Sequence, residues 1–295
     1  MAARFELDGP GSRVPPASTA APAVAAAVVA ALLACGGPGC ALEPAHEADR
    51  GEGRAWRGRI DVAARAGPAR GFLQVPAGGK PGTATKGRPR LSELGIDDLF
   101  TVRTVATGEV ERVALRLDAW LVRGGASETL HDGFLLRRQP FARGERVRTS
   151  FRFDVYRLAL GYRFTPADGL DVTPLAGFGL LDFGLDVSGD RRHRGRRSFR
   201  SGSPQLGVEA SLALTERLAL DFTVLGTPGP GFETSVGSGD LVLRWRVLGD
   251  EDSPALELFG GPAIDIIDFE DSQRLPNHLR ILLAPEIAVG LSVRF

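Results

Sequence analysis

Cysteine is nearly missing from this chain: Cys35 and Cys40 follow an early apolar run, and none occurs after them. A disulfide framework and a cysteine-based metal site are therefore excluded from the body of the protein. An excess of either charge is missing too, because 36 basic residues meet 36 acidic ones. No global field draws in nucleic acid, and a nucleic-acid partner is not expected. Lys80 and Lys86 are the only lysines, so arginine supplies nearly all the positive charge. After Ala34 no segment approaches the ~20 unbroken apolar residues of a spanning helix, so any membrane crossing is made by strands. His46, His131, His193 and His278 fall in the tail or in expected loops, no two at ligand spacing, and neither a metal nor another cofactor is expected.

What is present begins with a leader. Ala20 to Ala34 is apolar, preceded by Arg13 and followed by small residues, the layout of a secretory signal. Gly39-Cys40-Ala41 suits an ordinary signal peptidase, giving a signal over 1–41, a periplasmic tail over 42–55 and a single domain over 56–295. Leu32-Leu33-Ala34-Cys35 has instead the form of a lipoprotein site, with Cys35 as a lipidated first residue.

From Val110 onward the dominant period is two, the repeat of strands. Val113, Leu115, Leu117, Ala119 and Leu121 alternate with Arg116 and Asp118. Leu206, Val208, Ala210, Leu212 and Leu214 share a face opposite Glu209; Leu218, Leu220, Phe222 and Val224 lie opposite Asp221. Leu241, Leu243, Trp245 and Val247 lie opposite Arg244 and Arg246, and Ile287, Val289, Leu291, Val293 and Phe295 opposite Glu286 and Arg294. Segments of about nine to eleven residues match a tilted membrane strand. Alternation alone also fits a soluble sandwich, the alternative fold. The final alternating strand ending in Phe295 resembles the assembly signal of small bacterial outer-membrane β-barrel proteins, closely over Ile287 to Phe295. That resemblance implies an outer-membrane location and recognition of the last strand by the barrel-assembly machinery.

The expected fold is all-β, an antiparallel transmembrane barrel of about ten strands, with eight as the alternative. Arg57 to Val75 and Leu99 to Val105 supply the extra pair. Short turns fall at Thr165–Gly169, Thr215-Glu216 and Gly249–Asp252, and outer loops at Ala77–Asp98, Gly124–Arg148, Ser188–Ser203, Gly226–Ser238 and Glu270–His278. The apolar phase slips where Phe151, Phe153 and Val155 give way to Tyr156, Leu158 and Leu160, and again at Leu180-Leu181; a β-bulge or a strand running beyond the bilayer explains either.

Two groups of residues carry the functional reading. Arg191, Arg192, Arg194, Arg196, Arg197 and Arg200 fall in one expected outer loop, where guanidinium forks suit the phosphates of lipopolysaccharide or another anion. Arg116, Asp118, Arg152, Asp154, Glu209, Asp221, Arg244, Arg246, Glu257, Asp265, Glu286 and Arg294 are the expected lumen charges, either pairing to plug the barrel or lining a water path. An enzyme is not expected. Ser127 and His131, neighbours in an outer loop, make only a chance pair, and Gly78–Thr83 lacks the ending of a phosphate loop, fitting a structured loop or inward plug better. The expected role is structural or surface-binding, with a narrow channel for small solutes and a lipid-modifying enzyme as alternatives.

Overall fold

The computed structural model describes residues 56–74, 88–136, 139–229, 231–249, 253–272 and 276–295. The leader, the tail and Gly78–Thr83 lie outside them. Thirteen strands appear in chain order: β1 (Trp56–Gln74), β2 (Asp98–Val110), β3 (Val113–Thr129), β4 (Phe134–Leu136), β5 (Gln139–Phe141), β6 (Arg146–Tyr162), β7 (Phe164–Ala167), β8 (Leu170–Gly189), β9 (Arg194–Ala213), β10 (Leu218–Gly226), β11 (Thr234–Leu248), β12 (Ala255–Glu270) and β13 (His278–Arg294). Ten of them close an antiparallel barrel in the order β6-β3-β2-β1-β13-β12-β11-β10-β9-β8, with β8 returning to β6 from Val147/Gly189 to Gly161/Leu175. The count is ten, not eight. β4 and β5 form a separate hairpin inside the β3–β6 connection, and β7 is a short strand against the start of β8.

Closure follows from pairing the last strand with the first. β13 runs against β1 from Arg59/Arg294 onward, Gly58 and Phe295 exchange backbone bonds at 2.7 and 2.9 Å, and the Phe295 ring lies 5.2 Å from Trp56. A Cβ at Gly58 would stand 2.5 Å from that ring, so this position has room only for glycine.

The pleat sorts the side chains. Val113, Leu115 and Leu117 on β3, Leu158 and Leu160 on β6, Leu241 and Leu243 on β11, and Ile287, Val289 and Leu291 on β13 all stand exposed on the outer wall. In water each such side chain would forgo about 1.5–3 kcal/mol of burial; against acyl chains the belt is at equilibrium. The chain's two tyrosines, Tyr156 and Tyr162, bracket Leu158 and Leu160 on the outer face of β6, the placement of an aromatic girdle.

Two sequence readings change here. The phase slips in β6 and β8 are not bulges: the β3–β6, β6–β8 and β8–β9 registers run unbroken through them. The strands keep their phase and leave the apolar belt, so that Phe151, Phe153, Leu181 and Phe183 point inward while the outer face turns polar. Consequently the polar stretches Gly124–Arg148 and Ser188–Ser203 are largely strand, reaching Thr129 on β3 and Gly189 on β8 and resuming at Arg146 on β6 and Arg194 on β9. Bulges do occur elsewhere: β11 carries an extra residue against β12 between Arg246 and Leu248, and another bulge lies in β13. Ala263 faces Glu286 but Asp265 faces Leu283, and Ala66 faces Ile287 but Ala69 faces Leu283, so β13 carries one extra residue against both neighbours.

Candidate functional site: an occluded lumen and an arginine wall

Three layers fill the interior. Nearest the end with the short turns, Arg244 reaches Asp221 at 2.9 Å, Asp61 at 3.2 Å and Glu257 at 3.4 Å, and lies over the Phe259 ring at 4.8 Å. Glu209 there receives both Arg59 and, at 2.6 Å, Arg116. The next layer joins Arg65 to Asp265 at 2.9 Å and to Asp240, Arg103 to Asp118 and Asp240 at 2.9 Å each, and Arg157 to Ser238 Oγ at 2.6 Å. Above these, Trp120, Val122, Phe151, Phe153, Phe183, Leu185, Ile267, Phe269 and Ile281 form one apolar core. Leu91, Leu94 and Ile96 from the β1–β2 connection and Leu130, Phe134, Leu136 and Phe141 around the β4–β5 hairpin complete it. Phe199 stacks between Phe183 and Phe269 with centroids at 4.8 and 3.7 Å.

The space among the ion pairs is small, and the larger spaces lie at the short-turn end. Among the ion pairs a central cavity of about 50 Å³ holds no more than a few waters. At the short-turn end a vestibule of about 440 Å³ opens between Trp56, Phe295, Arg163 and Glu109, with Arg59, Arg116 and Glu209 at its inner limit.

The structure places the expected lumen charges as follows. Arg116, Asp118, Glu209, Asp221, Arg244, Arg246, Glu257, Asp265, Glu286 and Arg294 lie on the inward rows of their strands, and Glu286 is wholly buried. Arg152 and Asp154 do not: they share the outer row of β6 with Tyr156 and Leu158, Asp154 holding Arg123 of β3 and Arg152 lying 4.0 Å from Asp182 of β8. They follow the unbroken phase of β6, which is already above the belt there. Arg59, Asp61, Arg65, Arg103, Arg157 and Asp240 join the network without having been expected. Their signal was the same two-residue alternation, in β1, β2, β6 and β11.

The arginine stretch is the far end of the β8–β9 hairpin. Arg194, Arg196 and Arg200 lie on its outer row, with Arg194 to Asp186 at 2.6 Å and Arg200 to Asp182 at 2.8 Å. Arg197 occupies the opposite, inward row beside Phe199, and Arg191 and Arg192 form the turn. Ser127 Oγ accepts from Arg146 Nε at 3.2 Å; His131 is exposed in the bend after β3.

The hairpin is clamped at its tip. The buried Glu145 carboxylate accepts from the Ala142 amide at 2.9 Å and lies 3.3 Å from His193 Nδ1. Burial pushes this carboxyl up, but the Ala142 amide, His193 and the Arg191 amide outweigh it and hold it below the ordinary glutamate value. Gly189 leaves room for it, since a Cβ there would stand 1.9 Å from Glu145 Oε1.

A closed antiparallel barrel with an apolar outer belt is a transmembrane barrel of the bacterial outer-membrane type. No protein-family model matches the chain, and no curated protein sequence does. Among solved structures it is similar to the attachment invasion locus protein Ail of Yersinia pestis, at 9% identity over 81% of this chain and 99% of that one, TM-score 0.33. It is similar also to the outer membrane protease OmpT of Escherichia coli, at 10% identity over 81% and 96%, TM-score 0.41, and to Neisserial surface protein A, at 13% identity over 80% and 95%, TM-score 0.30. In barrels of this type the short turns face the periplasm and the longer connections face outward.

Proposed function

We propose that this chain is a non-conducting, surface-binding barrel that holds the phosphates of lipopolysaccharide against its outer wall. The observation that carries the reading is the contrast between a lumen filled by paired charges and an apolar core, and an outer wall carrying Arg123, Arg152 and Arg200 just above the belt. Arginine donates to phosphate in a bidentate fork, and the neighbouring Asp154 and Asp182 fix the guanidinium planes. The last strand serves as the recognition element for the assembly machinery. No catalytic role is assigned.

The test uses the refolded chain in vesicles with and without lipopolysaccharide. Wild type is expected to raise its urea midpoint when lipopolysaccharide is present, and Arg152→Ala with Arg200→Ala to lose most of that gain. An equal gain in the double variant would remove the reading. A narrow channel is the second reading, favoured by the 440 Å³ vestibule; steady conductance of wild type in planar bilayers would establish it in place of the closed barrel.

A further inference from the structure

The upper part of the arginine wall stands well clear of the bilayer. From Leu180, the last apolar outer residue of β8, to Ser188 is eight residues of unbroken strand, about 26 Å along the strand at ~3.3 Å per residue. Lipid phosphates meet the lower arginines; the tip is beyond them. There the outer surface carries Arg146, Arg148, Arg191, Arg192, Arg194 and Arg196 against Asp186 and Asp190. Arg194 pairs with Asp186, whereas the side chains of Arg148, Arg191 and Arg192 pair with no other described side chain.

We infer that this tip is a binding site for an anionic polysaccharide outside the cell, a chain bearing repeated sulfate or carboxylate groups. Three features point to that chemistry. First, the arginines alternate with hydroxyls: Ser150, Ser188 and Ser198 share the outer rows with them, and in register Arg148 faces Ser188, which faces Arg194 across the next strand. Guanidinium forks take the acidic groups and serine hydroxyls take the sugar hydroxyls. Second, no aromatic side chain lies on the outer rows at the tip, so the stacking platform that single-stranded nucleic acid requires is missing among the described residues.

Third, the platform is rigid and one of its arginines is strained. Glu145 ties the β5–β6 turn to His193, and the Asp190 amide donates to Arg146 O at 3.1 Å, so the β8–β9 turn and the start of β6 form one block. Binding to such a block loses little side-chain and loop freedom. Arg192 has φ +65°, the left-handed region where glycine is unstrained and a long side chain is not. The turn itself uses that conformation: the Arg192 amide donates to Gly189 O at 3.2 Å and the Gly189 amide to His193 O at 2.8 Å, which fixes the backbone from which the Arg192 side chain projects.

The inference rests on the outward orientation of the hairpin but not on lipopolysaccharide binding by the lower wall. The full chain is refolded into phosphatidylcholine vesicles free of lipopolysaccharide and titrated with fluorescent dextran sulfate, neutral dextran and a single-stranded oligonucleotide. Dextran sulfate is expected to bind and neutral dextran not to, with affinity falling at least tenfold in Arg148→Ala/Arg191→Ala/Arg192→Ala and less than twofold in Arg152→Ala/Arg200→Ala. Arg192→Gly alone, which relaxes the turn, is expected to weaken binding while unfolding at no lower urea concentration, and it decides the matter should the triple variant fail to refold. Undiminished binding in the tip variants, equal binding of neutral dextran, or tighter binding of the oligonucleotide overturns the inference. Loss of the lipopolysaccharide effect with dextran sulfate binding intact would sink the lipid reading alone.

Discussion

Arg244→Ala tests whether the lumen is held shut by charge. Three carboxylates, Asp221, Asp61 and Glu257, lie 2.9, 3.2 and 3.4 Å from the Arg244 guanidinium. They do not lose equally. Arg59 remains 3.4 Å from Asp61 and 3.8 Å from Asp221, whereas Glu257 keeps the more distant Arg246 at 3.9 Å. Removing one partner of a buried pair costs about 3–5 kcal/mol, and with two of three acids still partnered the lower end, near 3 kcal/mol, is expected. Urea unfolding in detergent micelles, followed by loss of the folded band on an unheated gel, reads this as a lower midpoint. Glu257→Gln added to Arg244→Ala should restore part of the loss, because the acid left poorest in partners becomes neutral. A cost below about 1 kcal/mol, with no recovery in the double variant, would refute the reasoning and leave the charges as solvated neighbours rather than a plug.

Three further outcomes follow from the same geometry. Leu158→Arg puts a charge on the exposed belt of β6 and is expected to cost about 2–4 kcal/mol in vesicles, read from urea midpoints; a neutral result would move the belt off this face. Gly189→Ala drives a methyl to the place of Glu145 Oε1, so the Glu145–His193 contact should break and protease cleavage near Ala142–Glu145 should accelerate, while the heat-modifiable barrel persists. The Glu145 carboxyl lies lower in the folded than in the unfolded chain, so its contribution is complete above the ordinary glutamate range and lost on acidification through the folded value. Protection of the Arg191 and Ala142 amides, taken against their intrinsic exchange rates, should therefore persist at neutral pH and fall only on acidification below the ordinary glutamate range; a fall well above that range would assign the clamp to another group.

The alternation of β3, β9, β10, β11 and β13 was legible because a strand between lipid and a polar interior has a strict period of two. That pattern carried the antiparallel barrel, the outward rows of Leu, Val and Ile, and the inward placement of Arg116, Asp118, Glu209, Asp221 and Arg244. It failed where the surroundings exchange polarity. Above the belt the outside meets water and the inside meets the β1–β2 and β3–β6 connections, so in β6 the apolar row becomes the inner one without any change of backbone phase. Arg152 and Asp154 were misplaced for that reason, and two strand extensions looked like loops. Sequence by itself determined which residues alternate and that the last strand ends in a packed aromatic. Only tertiary structure decided that ten strands close, that Glu209 holds Arg59 and Arg116 together, that connections far from the membrane fill the upper lumen, and that Glu145 meets His193. Each of these depends on distant segments brought to one place, and no local period records which segments those are.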